Sequence, residues 1–465
     1  MARSRSSNGS NGREGSAPSR FKAVTRANVA QTAQWKKLDG ETREATMVVS
    51  AVLPFRTNTY VMDELIDWSA VPDDPMFQLT FPQRGMLRGA DYRAMASLLE
   101  RDAPKEEIEA AANRIRYTLN PHPAGQMTHN VPKFRGEQLT GVQHKYDETV
   151  LFFPRNGQTC HAYCTFCFRW AQFVGIEDLK FASNEVEQLI GYLKQHREVR
   201  NVLFTGGDPM IMSTKVLRRY IEPLLDPAID HVHTIRIGTK AVAYWPQRFV
   251  HDSDADDLMR LFEEVGQAGR HLAIMGHYSH PVEFSTPVAR EAVRRIRSTG
   301  ANIRMQSPII RHVNDDSDAW VQLWQTGVRL GCIPYYMFVE RDTGARNYFE
   351  ISLAKCWQIY QSAYNRVSGL ARTVRGPSMS AFPGKVHLLG MAEVGKEKVF
   401  VLQYLQARDA KLVRRPFFAK FNPKAVWFDE LEPATMKDCE FFPKSKQAPA
   451  RPDLVTLELP PVGDV

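Results

Sequence analysis

From residue 150 onward, short apolar runs alternate with amphipathic stretches, which is the pattern of a parallel sheet covered by helices. Strands are predicted at 150–153, 199–204, 233–237, 272–276, 302–306 and 334–338. Helical spacing lies between them: Val186, Leu189, Ile190 and Leu193 fall at i, i+3, i+4 and i+7, and Trp320, Leu323, Trp324 and Val328 nearly do. The expected class is α/β. Six β–α units suit an open or partial barrel, a partial (β/α)6 arrangement over 146–345, better than a closed eight-unit one.

The flanks read differently. Residues 1–25 are predicted as a disordered basic tail, because the first twenty hold almost no apolar side chains to offset chain entropy. Over 60–145 the chain reads as helical and loop-rich, with Ile108, Ala111, Ala112, Ile115 and Leu119 on one helix face. Beyond the barrel, a C-terminal extension over 346–443 opens on a helix with Leu353, Trp357, Tyr360 and Tyr364 on one side. A Pro- and Gly-punctuated stretch and short strands such as 399–402 follow. Residues 444–465 read as a mobile tail.

Composition removes several function classes. No apolar run approaches the roughly 18 residues of a membrane span, and the N-terminus carries no signal-peptide core, so a cytoplasmic protein is expected. The formal charge of +8 is partly concentrated in Arg3, Arg5, Arg13, Arg20, Lys22 and Arg26. The remaining basic residues are interspersed with acids and lack aromatic interleaving, so nucleic-acid binding is not expected. Six cysteines are too few for a disulfide scaffold, yet three stand within 160–167.

Those three, Cys160, Cys164 and Cys167, follow the first predicted strand in CxxxCxxC order. They therefore fall in the loop at its carboxyl end, where β/α barrels build their sites. Three thiolates can hold three irons of a four-iron cube and leave the fourth iron open. Tyr163, Phe166 and Phe168 would shield such a cluster from water. Two other readings stand beside this one: a zinc site with His161 as fourth donor, which lacks a second CxxC pair, and three plain buried thiols.

The spacing, with an aromatic residue before the last cysteine, resembles the radical S-adenosylmethionine (SAM) superfamily. The resemblance implies a [4Fe-4S] cluster, SAM chelated at the open iron, and an electron donor such as flavodoxin or ferredoxin. Gly206, Gly207 and Asp208 end the second predicted strand and resemble the superfamily's SAM-binding GGDP element. The other reading is a strand-ending turn with Asp208 as a helix cap.

Further matches over roughly 105–390 resemble one branch, the lysine 2,3-aminomutase-like family. Arg169 stands where the family places the arginine that pairs with a substrate carboxylate. Arg236-Ile237-Gly238-Thr239-Lys240 is similar to its third-strand end. His277-Tyr278-Ser279-His280-Pro281 resembles its HxxHP element, and Gln306-Ser307 and Val313-Asn314-Asp315 resemble its QS and VND elements, so His277 and Gln306 are expected at the cofactors. Pro383-Gly384-Lys385 is similar to a shortened PGGGGK segment, implying that Lys385 tethers pyridoxal phosphate (PLP); the other reading is an ordinary exposed lysine.

The resemblance implies an amino-acid 2,3-aminomutase making a β-amino acid, with a small amino acid as substrate and a homo-oligomer admitted. Asp315 matches one carboxylate that holds lysine's distant ammonium, but Arg341 stands at the second, where Asp342 or Glu340 could substitute by a one-residue shift, so free lysine is not the expected substrate. Lys145 and Thr149 replace arginines ahead of the first strand. Cys332, Cys356 and Cys439 are expected to be buried apolar thiols, with no zinc. A radical SAM enzyme without PLP, or a non-catalytic iron–sulfur or nucleic-acid-binding protein, are the competing functions.

Overall fold

The computed structural model describes residues 21–122, 129–176, 180–183 and 185–443. Most of residues 1–25 and all of 444–465, read as tails from the sequence, lie outside the described residues. One part does not. Ala23–Thr25 is a strand paired antiparallel with Arg56–Asn58, with Val24 buried between its neighbours.

The centre is an eleven-stranded open sheet whose strands follow one another in chain order. We number them β1 (Val142–Tyr146), β2 (Thr149–Phe152), β3 (Asn201–Phe204), β4 (Thr234–Thr239), β5 (His271–His277), β6 (Asn302–Ile309), β7 (Ile333–Val339), β8 (Arg375–Ser380), β9 (Gly384–Val394), β10 (Glu397–Ala407) and β11 (Pro416–Lys420). From β2 to β8 every pairing is parallel, and β1 and β9–β11 extend the two ends antiparallel.

All six expected parallel strands are present. Helices α1 (Val186–Gln195), α2 (Thr214–Ile221), α3 (Ala255–Gln267), α4 (Pro287–Ser298), α5 (Ser317–Arg329) and α6 (Leu353–Asn365) cross between successive strands and bury one face each. In α5, for instance, Trp320, Leu323 and Trp324 are buried while Asp316 caps the start by accepting from Ala319 N.

Three elements depart from the sequence pattern. β1 lies inside the stretch read as helical; its His-Lys-Tyr core has no apolar alternation, and its pairing to β2 decides its conformation. β8, with Gly376 and Pro377, is a seventh parallel strand that these two residues conceal. The long β9–β10 hairpin replaces the short strands expected near the C-terminus. Consequently one ladder runs through the expected boundary at 345/346, although Met379, Val386, Leu388, Phe400, Tyr404, Phe417 and Phe428 form a second core of their own.

Around the N-terminal side, helices Pro75–Thr80, Gly89–Glu100 and Lys105–Thr118 match the helical reading. Among the described residues no helix is long and apolar enough to cross a membrane. Cys332 and Cys356 are buried as expected, whereas Cys439 is exposed, on the outer side of the short turn Met436–Phe441.

Candidate active site

The loop leaving β2 carries Cys160, Cys164 and Cys167, all free and partly buried. Its own turn is tightened by Cys167 N donating to Cys164 O at 3.0 Å. Most of its anchoring comes from far away in sequence. Arg56 Nη1 donates to Thr159 Oγ1 at 2.9 Å and to Cys160 O at 3.1 Å, and Tyr163 N donates back to Arg56 O at 2.8 Å. Asn58 Nδ2 bridges His161 O and Tyr244 O, while Thr165 donates to the carbonyls of Leu79 and Gln78. The N-terminal segment is thus the clamp on the cysteine loop. Nothing in the sequence marks Arg56 or Asn58 for this, since each stands more than a hundred positions from its partner.

Burial resists ionisation of all three thiols. Cys160 is pushed well up by burial, then by Asp208 and the two sister thiols; Cys164 rises to about 11 and Cys167 to about 12. Thiolates in such a place need a compensating cation. A cationic iron cluster provides one, so this donor set fits the cluster the sequence implies. Among the described residues no three His, Cys, Asp or Glu side chains converge as a single metal ion would need.

The glycine turn after β3 is packed directly onto this loop. Gly206 has φ +129°, and an added Cβ would sit 2.2 Å from Gln158 Nε2. At Gly207 a Cβ would meet backbone, 2.5 Å from Thr159 N and 2.6 Å from Thr159 O. Asp208 N donates to Thr159 O at 2.7 Å. The Asp208 carboxylate, fully walled in, accepts from Met210 N, Thr239 Oγ1, Lys240 N and Ala241 N. It therefore acts as the cap of the short turn Pro209–Ile211 and as the tie between the ends of β3 and β4.

Behind the second cysteine lies a buried polar chain that the motif reading missed. Cys164 Sγ donates to Tyr244 Oη at 3.7 Å, and Lys240 Nζ sits 4.6 Å from the Tyr244 ring centroid. Lys240 Nζ donates to Glu283 Oε1 at 2.7 Å and to Ser279 Oγ at 3.1 Å. Glu283 accepts further from Ser279 N and His280 N, and Ser307 Oγ donates to Ser279 Oγ. A signal existed for Glu283: it stands three residues after His280 across a Pro-initiated turn, the spacing of a capping box.

A lateral row links the cysteine end of the sheet to Lys385. His277, Gln306, Tyr336 and Arg375 are register partners on β5, β6, β7 and β8, so they share one sheet face. Phe166, between the second and third cysteines, packs edge-on against the His277 ring at 5.6 Å. The His277 Nε2 is buried without a hydrogen-bond partner, and burial holds its pKa well below the usual range. At the other end Lys385 Nζ, on β9, sits 4.3 Å from the Tyr336 ring centroid and 5.8 Å from that of Phe338. Lys385 is not the exposed lysine of the alternative reading. Burial, with Arg236 and Arg375 adding to it against Tyr335, lowers its pKa to about 8.

The same face gathers cations. Lys145 Nζ donates to Ala381 O at 2.6 Å, and its pKa is lowered well below normal by burial and then by Arg408, Arg341 and Lys385. Arg169 is buried, stacked on Phe153 and Phe168, with its pKa lowered to about 9 by burial and further by Arg341. Asp315 stands apart: it is exposed in the turn before α5, and among the described residues no hydrogen bond or ion pair joins it to Arg169 or Arg341. An aromatic-walled amine of low pKa among these cations fits an aldehyde that carries a phosphate.

A three-thiol loop at the carboxyl end of the first parallel strand, with a glycine turn packed against it from the next, defines the class: radical SAM enzymes. Comparison with known proteins gives the branch. Over 401 residues, 85% of this chain and 92% of the relative, the chain is 30% identical to a protein of Aquifex aeolicus provisionally named L-lysine 2,3-aminomutase. It is 28% identical to the L-lysine 2,3-aminomutase of Methanococcus maripaludis over half of each chain. To the glutamate 2,3-aminomutase of Clostridioides difficile it is 24% identical over 60% of this chain and 63% of that one. A radical SAM methyltransferase from Sphaerobacter thermophilus superposes with a TM-score of 0.36 at 19% identity over 62% of this chain and 84% of its own, too distant to carry weight. No family model matches. This chain belongs to the radical SAM lysine 2,3-aminomutase-like family.

Proposed function

We propose that the protein is an amino-acid 2,3-aminomutase that uses a four-iron cluster, SAM and PLP to convert an α-amino acid into its β isomer. The observation that carries this reading is the lateral row: Phe166 on His277, then Gln306, then Tyr336 beneath the Lys385 amine. It supports this reading because the thiol loop and a lysine of lowered pKa lie along one face of one sheet, an arrangement that a cluster protein without PLP does not need.

Cys160, Cys164 and Cys167 would hold the cluster, Gly206 and Gly207 would leave room for SAM to approach backbone, and Lys385 would hold PLP. When bound, these groups supply a carbon radical that removes hydrogen and a conjugated ring that lets nitrogen move between neighbouring carbons. The chain's own part is positioning and exclusion of water. Arg169, with Phe153 and Phe168 holding its guanidinium plane, binds the α-carboxylate as a fork. Phe166, Tyr336 and Phe338 wall the space between the two ends. The His277 Nε2, buried and unpaired, is a free acceptor or donor facing the same region.

On this reading the sheet from β2 to β7 curves as an incomplete six-unit barrel, and a small reducing protein of the flavodoxin or ferredoxin kind delivers the electron in the cytoplasm. The named relatives act on lysine and on glutamate, so membership leaves the side chain of the substrate open. The test is anaerobic incubation of the reconstituted protein with SAM, PLP, dithionite and each proteinogenic amino acid. A β-amino product is expected from at least one of them. Release of 5'-deoxyadenosine with no β-amino product from any would refute the aminomutase reading.

A further inference from the structure

We propose that Arg341 reads the substrate's side chain and that the substrate is a short acidic amino acid, its distal carboxylate held by Arg341 and its α-carboxylate by Arg169. The proposal rests on the aminomutase reading and narrows it. Arg341 follows β7 directly and is held between two rings, its guanidinium carbon 5.5 Å from the Phe168 centroid and 5.8 Å from that of Trp427. Arg169 lies 4.8 Å from the same Phe168 ring. One aromatic side chain therefore lies beside both guanidinium groups, whose carbons, 4.8 Å and 5.5 Å from its centroid, are at most about 10 Å apart.

Both arginines are under-matched. Arg169 is 8% exposed, and among the described residues no hydrogen bond from its guanidinium to a carboxylate is seen. Arg341 Nε is buried without a hydrogen-bond partner, and its approach to Asp342 Oδ1, itself unpartnered, is 3.9 Å, too long for a hydrogen bond. Asp342 thus flanks the guanidinium without occupying it. A half-buried guanidinium whose ion pair to Asp342 is too long for a hydrogen bond keeps donors free for an oxyanion that comes and goes.

Three carboxylates, Glu340, Asp342 and Asp429, act electrostatically on Arg341, and a basic side chain could be imagined among them. An ammonium arriving there would also face Arg341 itself, with Arg169 and Lys145 each within electrostatic reach of it. The balance favours an anion. The phosphate of PLP is the other oxyanion that could reach Arg341, so the experiment separates the two sources.

The experiment is calorimetric titration of PLP-loaded protein without SAM, so that no turnover occurs, using L-glutamate, L-aspartate, L-lysine and L-alanine as probes. At least one of the two acids is expected to bind about tenfold or more tighter than lysine and alanine. Arg341→Gln should abolish that preference, a loss of about 10- to 100-fold, with the PLP absorbance and melting temperature unchanged. Arg341→Lys, which keeps the charge but not the fork, should retain part of it and guards against a folding artefact. Unchanged acid binding in Arg341→Gln, or tighter binding of lysine than of either acid, would overturn the proposal. So would loss of PLP from Arg341→Gln with equal weakening of all four probes, which would give Arg341 to the phosphate. If lysine binds and yields a β-amino acid, only the specificity falls; if no amino acid binds or reacts, the aminomutase reading itself falls.

Discussion

Neutralising Glu283 should damage both the stability of the fold and its hold on iron. The Glu283 side chain is fully buried, its partner Lys240 is 8% exposed, and their contact is 2.7 Å. The Glu283 carboxylate also accepts from Ser279 N at 2.5 Å and His280 N at 3.2 Å, so one charge joins the ends of β4 and β5. Glu283→Gln keeps the shape but leaves the Lys240 ammonium without its counter-charge, and removing one partner of a buried pair costs about 3–5 kcal/mol. Lys240→Met should cost a similar amount for the mirror-image reason. The double variant Lys240→Met/Glu283→Gln should be less destabilised than the sum of the singles, by about 1–3 kcal/mol, because neither charge is then stranded. Urea unfolding of the cluster-free protein, followed by tryptophan fluorescence, measures all four proteins. The structure also links this pair through Tyr244 to Cys164, so the single variants should retain less iron after anaerobic reconstitution. Single costs below about 1 kcal/mol, or strictly additive ones, would refute the reasoning.

Other consequences are as direct. Gly207→Ala forces a methyl group against the backbone of Thr159 and should cost about 1–3 kcal/mol and lower the iron content, read by colorimetric iron assay; a variant with wild-type iron would show that the turn does not brace the cysteine loop. Arg56→Ala removes the donor to Cys160 O and Thr159 and should likewise reduce iron retention while leaving the secondary structure seen by circular dichroism intact. Burial lowers the Lys385 amine from its ordinary range to about 8, so the uncharged amine, and with it the rate of imine formation with PLP, should climb as pH rises through about 8 and level off above it. A stopped-flow absorbance profile still climbing steeply at about pH 10 would contradict the buried setting; Lys385→Arg should form no imine at all.

The parts of this molecule written in local pattern were legible before the fold was seen. Six parallel strands announced themselves by apolar runs between amphipathic helices, and the cysteine loop and glycine turn fell where strand ends place them. β8 was hidden because Gly376 and Pro377 are poor strand residues that only pairing to β7 makes extended. Lys385 was visible as a motif, but its activation was not: the lowered pKa comes first from burial, in a setting where the rings of Tyr336 and Phe338 on a different strand lie beside the amine, and then from Arg236 and Arg375. Arg56 and Asn58 were invisible for the same reason, since their role exists only once Ala23–Thr25 and Arg56–Asn58 pair beside the loop. Asp208 shows the opposite case. Its motif suggested a ligand, and its carboxylate proves to be fully engaged by Met210, Thr239, Lys240 and Ala241.

Every role assigned above depends on Cys160, Cys164 and Cys167 holding a cluster that cleaves SAM. That cleavage is tested most directly by counting 5'-deoxyadenosine released from SAM under dithionite by anaerobically reconstituted protein, beside the variant in which all three cysteines are alanine. About four irons per chain and 5'-deoxyadenosine are expected from the intact protein, with neither from the triple variant. Equal release by both proteins, or an intact protein that binds zinc and no iron, would contradict that expectation.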